Sequence, residues 1–168
     1  MLAVSLPVLY LGFALPLWTG AIDFYTNPLQ LISTNVAYEM LKGFGLNPTR
    51  LSGEPTNIYL DHYTFNVAVP CSGLKLLLAV TAFTGLFMMI AKLKWWGYAV
   101  MLVQIFPLCV FINSLRIALI GVVGNSFGST PAEHDAAAHT FHGYSGYITL
   151  LICFFILFKI ARGLGWKD

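Results

Sequence analysis

Charged side chains are what this sequence has least of: Lys, Arg, Asp and Glu together make up 10% of its 168 residues, against 58% hydrophobic residues. Soluble domains carry roughly 25% charge, and surface-to-volume geometry leaves so short a chain too few interior positions for this much apolar surface. A water-soluble fold is excluded, and the mean hydropathy of +0.75 agrees. The sequence has no Cys-x-x-Cys among its three cysteines, which disfavours a thiol oxidoreductase. It has no internal repeat, no block of like charge and no low-complexity tract, and no nucleic-acid partner is expected. The length suits one integral membrane domain, residues 1–168.

Hydrophobic runs, by contrast, are abundant. Spanning roughly 30 Å of hydrocarbon takes about 20 helical residues, and four stretches qualify: about 1–22, 72–91, 95–124 and 144–163. The first carries no charge, lacks the basic start and A-x-A site of a signal peptide, and reads as an anchor. Lys75 can snorkel near the start of the second, and the long third contains Pro107 and a single charge, Arg116. Cytoplasmic loops are enriched in Lys and Arg. Lys92 and Lys94, with Lys159, Arg162 and Lys167, mark one side; Asp23, Glu39, Glu54, Asp61, Glu133 and Asp135 mark the other. Both termini are therefore expected in the cytoplasm, with segments 23–71 and 125–143 outside the cell (inner) membrane.

The outward segments are not featureless. "NPLQLISTNVAYEMLKGFGLNP" spaces Leu29, Ile32, Val36, Met40 and Leu41 helically, which predicts an amphipathic helix along the outer interface. "TNIYLDHYTFNVAVP" alternates around a polar Asp61-His62 tip and predicts a short β-hairpin. The fold class is thus an all-α polytopic membrane protein with about four spans, an outward amphipathic helix and a hairpin.

Three groups of residues could carry chemistry. Cys109 and Cys153 lie within spans and read as small apolar fillers. Cys71, in "VPCSGLKLL", falls at a helix start on the oxidising side with no outward partner for a disulfide. It either packs a helix end or is a reactive thiol. The helix dipole and Lys75, one turn along, favour a thiolate, while Ser72-Gly73 makes a tight entry that leaves backbone N–H groups near the sulfur. Arg116 lies about eight residues inside its span, roughly 12 Å deep, where a charge is costly and functional by default. With Asn113 on the same face it could hold an oxyanion; the alternative is a structural pairing, although no acid lies in any span. "EHDAAAHTFHGYSGY" holds His134, Asp135, His139 and His142, a possible metal set, or a general base among loop histidines.

Together "PCSGLKLL", "FINSLRIAL" and "FHGYSGY" resemble the exosortase/archaeosortase family of membrane transpeptidases, whose marks are Cys-Ser-Gly, Asn-x-x-Arg and a histidine shortly before Ser-Gly. The resemblance covers about residues 27–160 and corresponds to a short form of the family, without the additional N-terminal spans of long bacterial members. It implies Cys71 as nucleophile, Arg116 as transition-state stabiliser and His142 as acid/base, with Asn113, Lys75, Ser72, Gly73 and Ser145 in support and no cofactor or metal. Lys75 stands where many members have arginine, and Gly143 where the common bacterial pattern has an acid. Asp135 is then the candidate to orient His142, and Tyr144, Ser145 and Tyr147 the candidates to position it.

The implied substrates are exported proteins ending in a recognition motif, a hydrophobic helix and a basic tail, which would lie in the membrane lipid. The enzyme would cut between motif and helix through a thioester and pass the acyl group to an acceptor, at a site facing the periplasm or exterior. Two other readings use the same residues differently. A cysteine protease would use water as acceptor, and a non-catalytic assembly or transport subunit would be indifferent to Cys71 and His142.

Overall fold

The apolar runs become helices because in hydrocarbon every backbone N–H and C=O must be paired within the segment. The computed structural model describes residues 19–67, 73–91, 93–127 and 130–164. Its elements run α1 (Thr19–Gly43), β1 (Asn57–Tyr59), β2 (Thr64–Asn66), α2 (Leu74–Ile90), α3 (Trp95–Val103), α4 (Ile105–Ser126) and α5 (Pro131–Gly163). The protein is mostly helical, with one small hairpin. Two apolar helical stretches are long enough to cross a membrane, Trp95–Ser126 and Pro131–Gly163. The 17-residue α2 is apolar and shorter.

The third apolar run is two consecutive helices that meet at Gln104. Pro107 has no N–H to offer the Val103 carbonyl, and the run divides at Gln104. The ladder resumes at once, with Leu108 N–H donating to Gln104 O at 3.0 Å. The expected outward loop 125–143 is largely helix. Thr130 caps α5, its side chain accepting from Glu133 N–H at 3.4 Å, and Pro131 occupies the first turn. A Thr-x-x-Glu start with proline in the first turn is a helix-initiating pattern, so His134, His139 and His142 ride one helix.

At the other end, residues 1–18 lie outside the described residues, so the first expected span is described only from Thr19 on. The expected break before Asn27-Pro28 is absent, since α1 runs through both residues. Its buried face also differs from the expected apolar stripe. Thr26, Leu29, Gln30, Ser33, Thr34, Ala37 and Leu41 are buried, whereas Ile32 is exposed. Small and polar side chains between Leu29 and Leu41 let α1 lie close against α4, and Leu31 and Ile32 turn outward. Arg50 ties the following loop to this helix, donating to Asn35 Oδ1 (2.6 Å) and Thr34 O (2.8 Å) over the Tyr38 ring.

The hairpin has the expected position, with Ile58 opposite Phe65 and Tyr59 opposite Thr64. Ile58 and Val67 pack into a cluster with Ala37, Leu41, Ile117 and Ala118, joining hairpin, α1 and α4. A second cluster joins α2 to α5 around Val80, Phe87, Met101, Cys109, Cys153 and Leu157. Both cysteines are free and buried there. On the opposite side of α5, Tyr147, Ile148, Leu151, Ile152 and Phe155 are exposed at helical spacing. So large an apolar stripe suits lipid rather than water.

Close approach seats the hairpin on α4. A Cβ at Gly124 would stand 2.5 Å from the Tyr63 ring, so the ring rests on bare helix backbone. Gly124→Ala is expected to destabilise the protein by about 1–3 kcal/mol, read as a lower thermal midpoint in detergent micelles. Tyr63→Leu should recover part of that loss in the double variant. Additive losses would show that the two positions are not in contact.

Candidate active site

Arg116 is where the site has to be built from, because a guanidinium within an apolar span needs partners to offset its lost hydration. α4 brings it half-buried against α5. There its Nε donates to Ser145 Oγ at 2.9 Å, and one terminal nitrogen donates to the His142 carbonyl at 3.1 Å. Ser145 Oγ in turn donates to that carbonyl at 3.0 Å. The same terminal nitrogen lies 3.4 Å from His142 Nδ1. A guanidinium can only donate, so Nδ1 carries the lone pair in this contact and the neutral ring holds its proton on Nε2. No carboxylate pairs with Arg116 among the described residues. Gly146 lies beside the guanidinium, where a Cβ would make only ordinary contact at 3.7 Å.

The second wall is the start of α2. Gly73, its N-cap, has φ 87°, a left-handed conformation that glycine adopts at no steric cost. A Cβ there would stand 2.9 Å from the Asn113 side-chain carbon and nitrogen. The chain entering α2 therefore lies directly on Asn113, which is itself buried. Positive φ and close approach make the same demand, so only glycine fits. Gly73 O accepts from Leu77 N–H at 2.8 Å, and the first-turn N–H groups and the positive end of the helix dipole gather at this mouth.

Gly73, Lys75, Asn113, Arg116 and His142 line one cavity of about 450 Å³, with Leu76 and Tyr147 among its apolar walls. Three helices remote in sequence thus deliver a lysine, an amide, a guanidinium and an imidazole to one concavity. Cys71 and Ser72 lie outside the described residues. Two peptide units separate Cys71 from Gly73, so their Cα atoms are at most about 7.6 Å apart. Ser145 reaches the site through Arg116. Both tyrosines are largely exposed, and of the two Tyr147 borders the cavity.

Other histidines are placed differently. His134 is buried, contacts Gly124 O through Nδ1 at 2.6 Å, and stacks on His62 at 6.0 Å. It fastens the start of α5 to the end of α4 and to the hairpin tip, where His62 N–H donates to Asn125 Oδ1 at 2.9 Å. Among the described residues no three His, Cys, Asp or Glu side chains converge on a point where a metal could sit. Asp135 precedes His142 by seven residues on the same helix, about 10 Å along the axis. It is not the group on the ring; Arg116 is.

Gln30 has a part that the sequence reading missed. Its side-chain amide donates to Val67 O, and Val67 N–H donates to Thr56 O at 2.9 Å, which pins the strand exit four residues before Cys71. The available signal was an amide within the apolar face of α1.

His142 precedes the apolar stretch of α5 that begins at Tyr144, and its imidazole is held below the ordinary histidine range. Burial is the main cause, followed by the positive charge of Arg116 and then by His139. A lowered value keeps the ring neutral, and so able to accept a proton, further into acid.

This is the arrangement of a membrane-embedded site combining a cation, an imidazole and the mouth of a helix that follows a cysteine. The chain matches the transmembrane exosortase family over residues 1–159 and belongs to that family. No curated protein and no solved structure matches it. Arg116→Gln is expected to raise the His142 value towards the ordinary one, because a cation that disfavours imidazolium is removed. Histidine ring titration by NMR in micelles reads this, and an unmoved midpoint would show that burial alone sets it.

Proposed function

We propose that this membrane exosortase is a cysteine transpeptidase acting on the C-terminal sorting signal of exported proteins, at a site on the outer side of the cell membrane with both chain termini in the cytoplasm. The observation that carries this reading is the single cavity of about 450 Å³ lined by Gly73, Lys75, Asn113, Arg116 and His142. Four of these bear polar or ionisable groups suited to acyl transfer, and the fifth is two residues from Cys71 in the sequence.

The cysteine thiol passes its proton to the His142 imidazole, and the thiolate attacks the scissile carbonyl. The helix mouth at Gly73 and the Lys75 ammonium favour the thiolate, and Lys75 acts as a point charge without the fork geometry of arginine. The carbonyl oxygen becomes an oxyanion held by donors from Arg116 and Asn113. His142 returns its proton to the leaving amine as the C–N bond breaks, and a thioester to Cys71 remains. The acceptor then attacks the thioester, His142 takes its proton, and the thiol leaves with that proton restored. Ser145 keeps Arg116 oriented by its bond to Nε. The substrate's hydrophobic helix lies in the bilayer against the exposed apolar surface of the enzyme, with the scissile amide at the outer interface.

Cys71→Ala is expected to leave exported substrates membrane-anchored with tails uncleaved, detected by intact-protein mass spectrometry of membranes. Normal processing in that variant would sink the proposal. Arg116→Lys should lower turnover by about 10²- to 10³-fold, and His142→Ala by about 10²- to 10⁴-fold, with both proteins folded. The mass of the new C-terminus separates the acceptors: a gain of water alone identifies hydrolysis, and an added group identifies transfer.

A further inference from the structure

His142 borders two cavities. Besides the one already described, a larger space of about 640 Å³ lies between β2 and the polar first half of α5, floored by Ile117 and Ile120 of α4. Phe65 and Asn66 line its hairpin side, and Asp135, His139 and His142 line its helix side. Its size falls in the range of ligand-binding clefts. The mechanism above makes no use of it.

The edge of the hairpin facing this space is open. Leu60 N–H donates to Tyr63 O at 2.9 Å, and Val67 N–H to Thr56 O at 2.9 Å. Tyr63 and Val67 therefore direct their backbone groups inward to β1. By the alternation of an antiparallel ladder, Thr64 and Asn66 direct theirs outward. The far edge of β1 is already occupied, since Thr49 and Tyr59 exchange both backbone bonds, at 2.8 and 3.0 Å. Among the described residues, nothing pairs with the outward backbone groups of Thr64 and Asn66. β2 is thus an unpaired edge beside a cavity, and its chain continues to Cys71.

We infer that this cavity binds the recognition segment of the sorting signal, the few residues on the N-terminal side of the scissile amide, as an extended third strand on β2. This rests on the transpeptidase reading of the site. An added strand draws affinity from main-chain bonds and specificity from alternate side-chain pockets. Here its side chains would alternate between the cavity and the surface. The inward ones would meet Phe65 and Ile120, and a hydrogen-bond donor would be accepted by the Asp135 carboxylate. A strand laid beside β2 lies in the cavity that His142 borders, so binding brings the amide to His142. The hydrophobic helix of the signal remains at membrane depth, while the segment before it occupies this outward polar space.

The probe is a synthetic peptide with the hydrophobic helix and basic tail of an exported protein of the same cell, preceded by its ten upstream residues. Binding is measured to the full-length Cys71→Ala variant in micelles, which reads the complex without turnover. N-methylation of single upstream amides should weaken binding about tenfold at every second position and little between, since each blocked position loses one strand bond. Thr64→Pro, which removes an outward N–H at a sheet edge that tolerates proline, should weaken the unmodified peptide to a similar degree. Absence of binding, or N-methyl effects that are nil or equal at all positions, would overturn the inference. Cleavage of the same peptide by the unaltered enzyme tests the transpeptidase reading separately, so the two can fail independently.

Discussion

A guanidinium half-buried within an apolar span needs hydrogen-bond acceptors, and Arg116 finds them on α5. Its bonds to Ser145 Oγ and the His142 carbonyl hold two long helices together. The same bonds fix the backbone of His142, and the guanidinium beside Nδ1 sets which nitrogen carries the lone pair. One residue therefore acts as a fastening between helices and as the electrostatic environment of the base. The cost of placing charge in an apolar span is offset by interactions that also organise the site, and no carboxylate is needed to neutralise it.

Around that fastening, the outward elements act as a frame for a short stretch of chain. The Tyr63 ring lies on Gly124, His134 joins α5 to α4, and Gln30 holds the carbonyl of Val67. On the far side Gly73 lies on Asn113. The residues between Val67 and Gly73, Cys71 among them, are thus bracketed by two anchored points on different helices. Thr64 and Asn66 leave an open edge along the approach to that stretch, and His142 stands where the two cavities meet. Hence the hairpin, small as it is, forms one wall of the larger cavity as well as part of the fold.

Much of this was legible from residue patterns because the bilayer imposes strict rules. Apolar runs of sufficient length have to become helices, the Asp61-His62 tip between alternating segments has to turn, and an arginine in a span has to matter. Less legible were features decided by competition. Asn27-Pro28 reads as a helix start, yet α1 runs through it. Thr130-Pro131-Ala132-Glu133 is a strong helix start, but three histidines and two acids nearby made the segment read as a polar loop. The buried face of α1 combines Leu29 and Leu41 with small and polar side chains that pack closely against α4, and Ile32 is left outside it.

By itself, the sequence determined that this is a membrane protein, that its polar chemistry is concentrated in a few residues, and that the Cys-Ser-Gly, Asn-x-x-Arg and His…Ser-Gly segments belong together. The first two are consequences of composition and local pattern, which hydrocarbon enforces residue by residue, and the third rests on the family resemblance. Only the tertiary structure decided that Arg116, rather than Asp135, attends His142, that His134 is a fastening, and that Gly73 must be bare because Asn113 lies against it. The physical reason is that hydrogen-bond partners and close approaches are set by how helices rotate and cross. That depends on all the packed faces together and is encoded in no single segment.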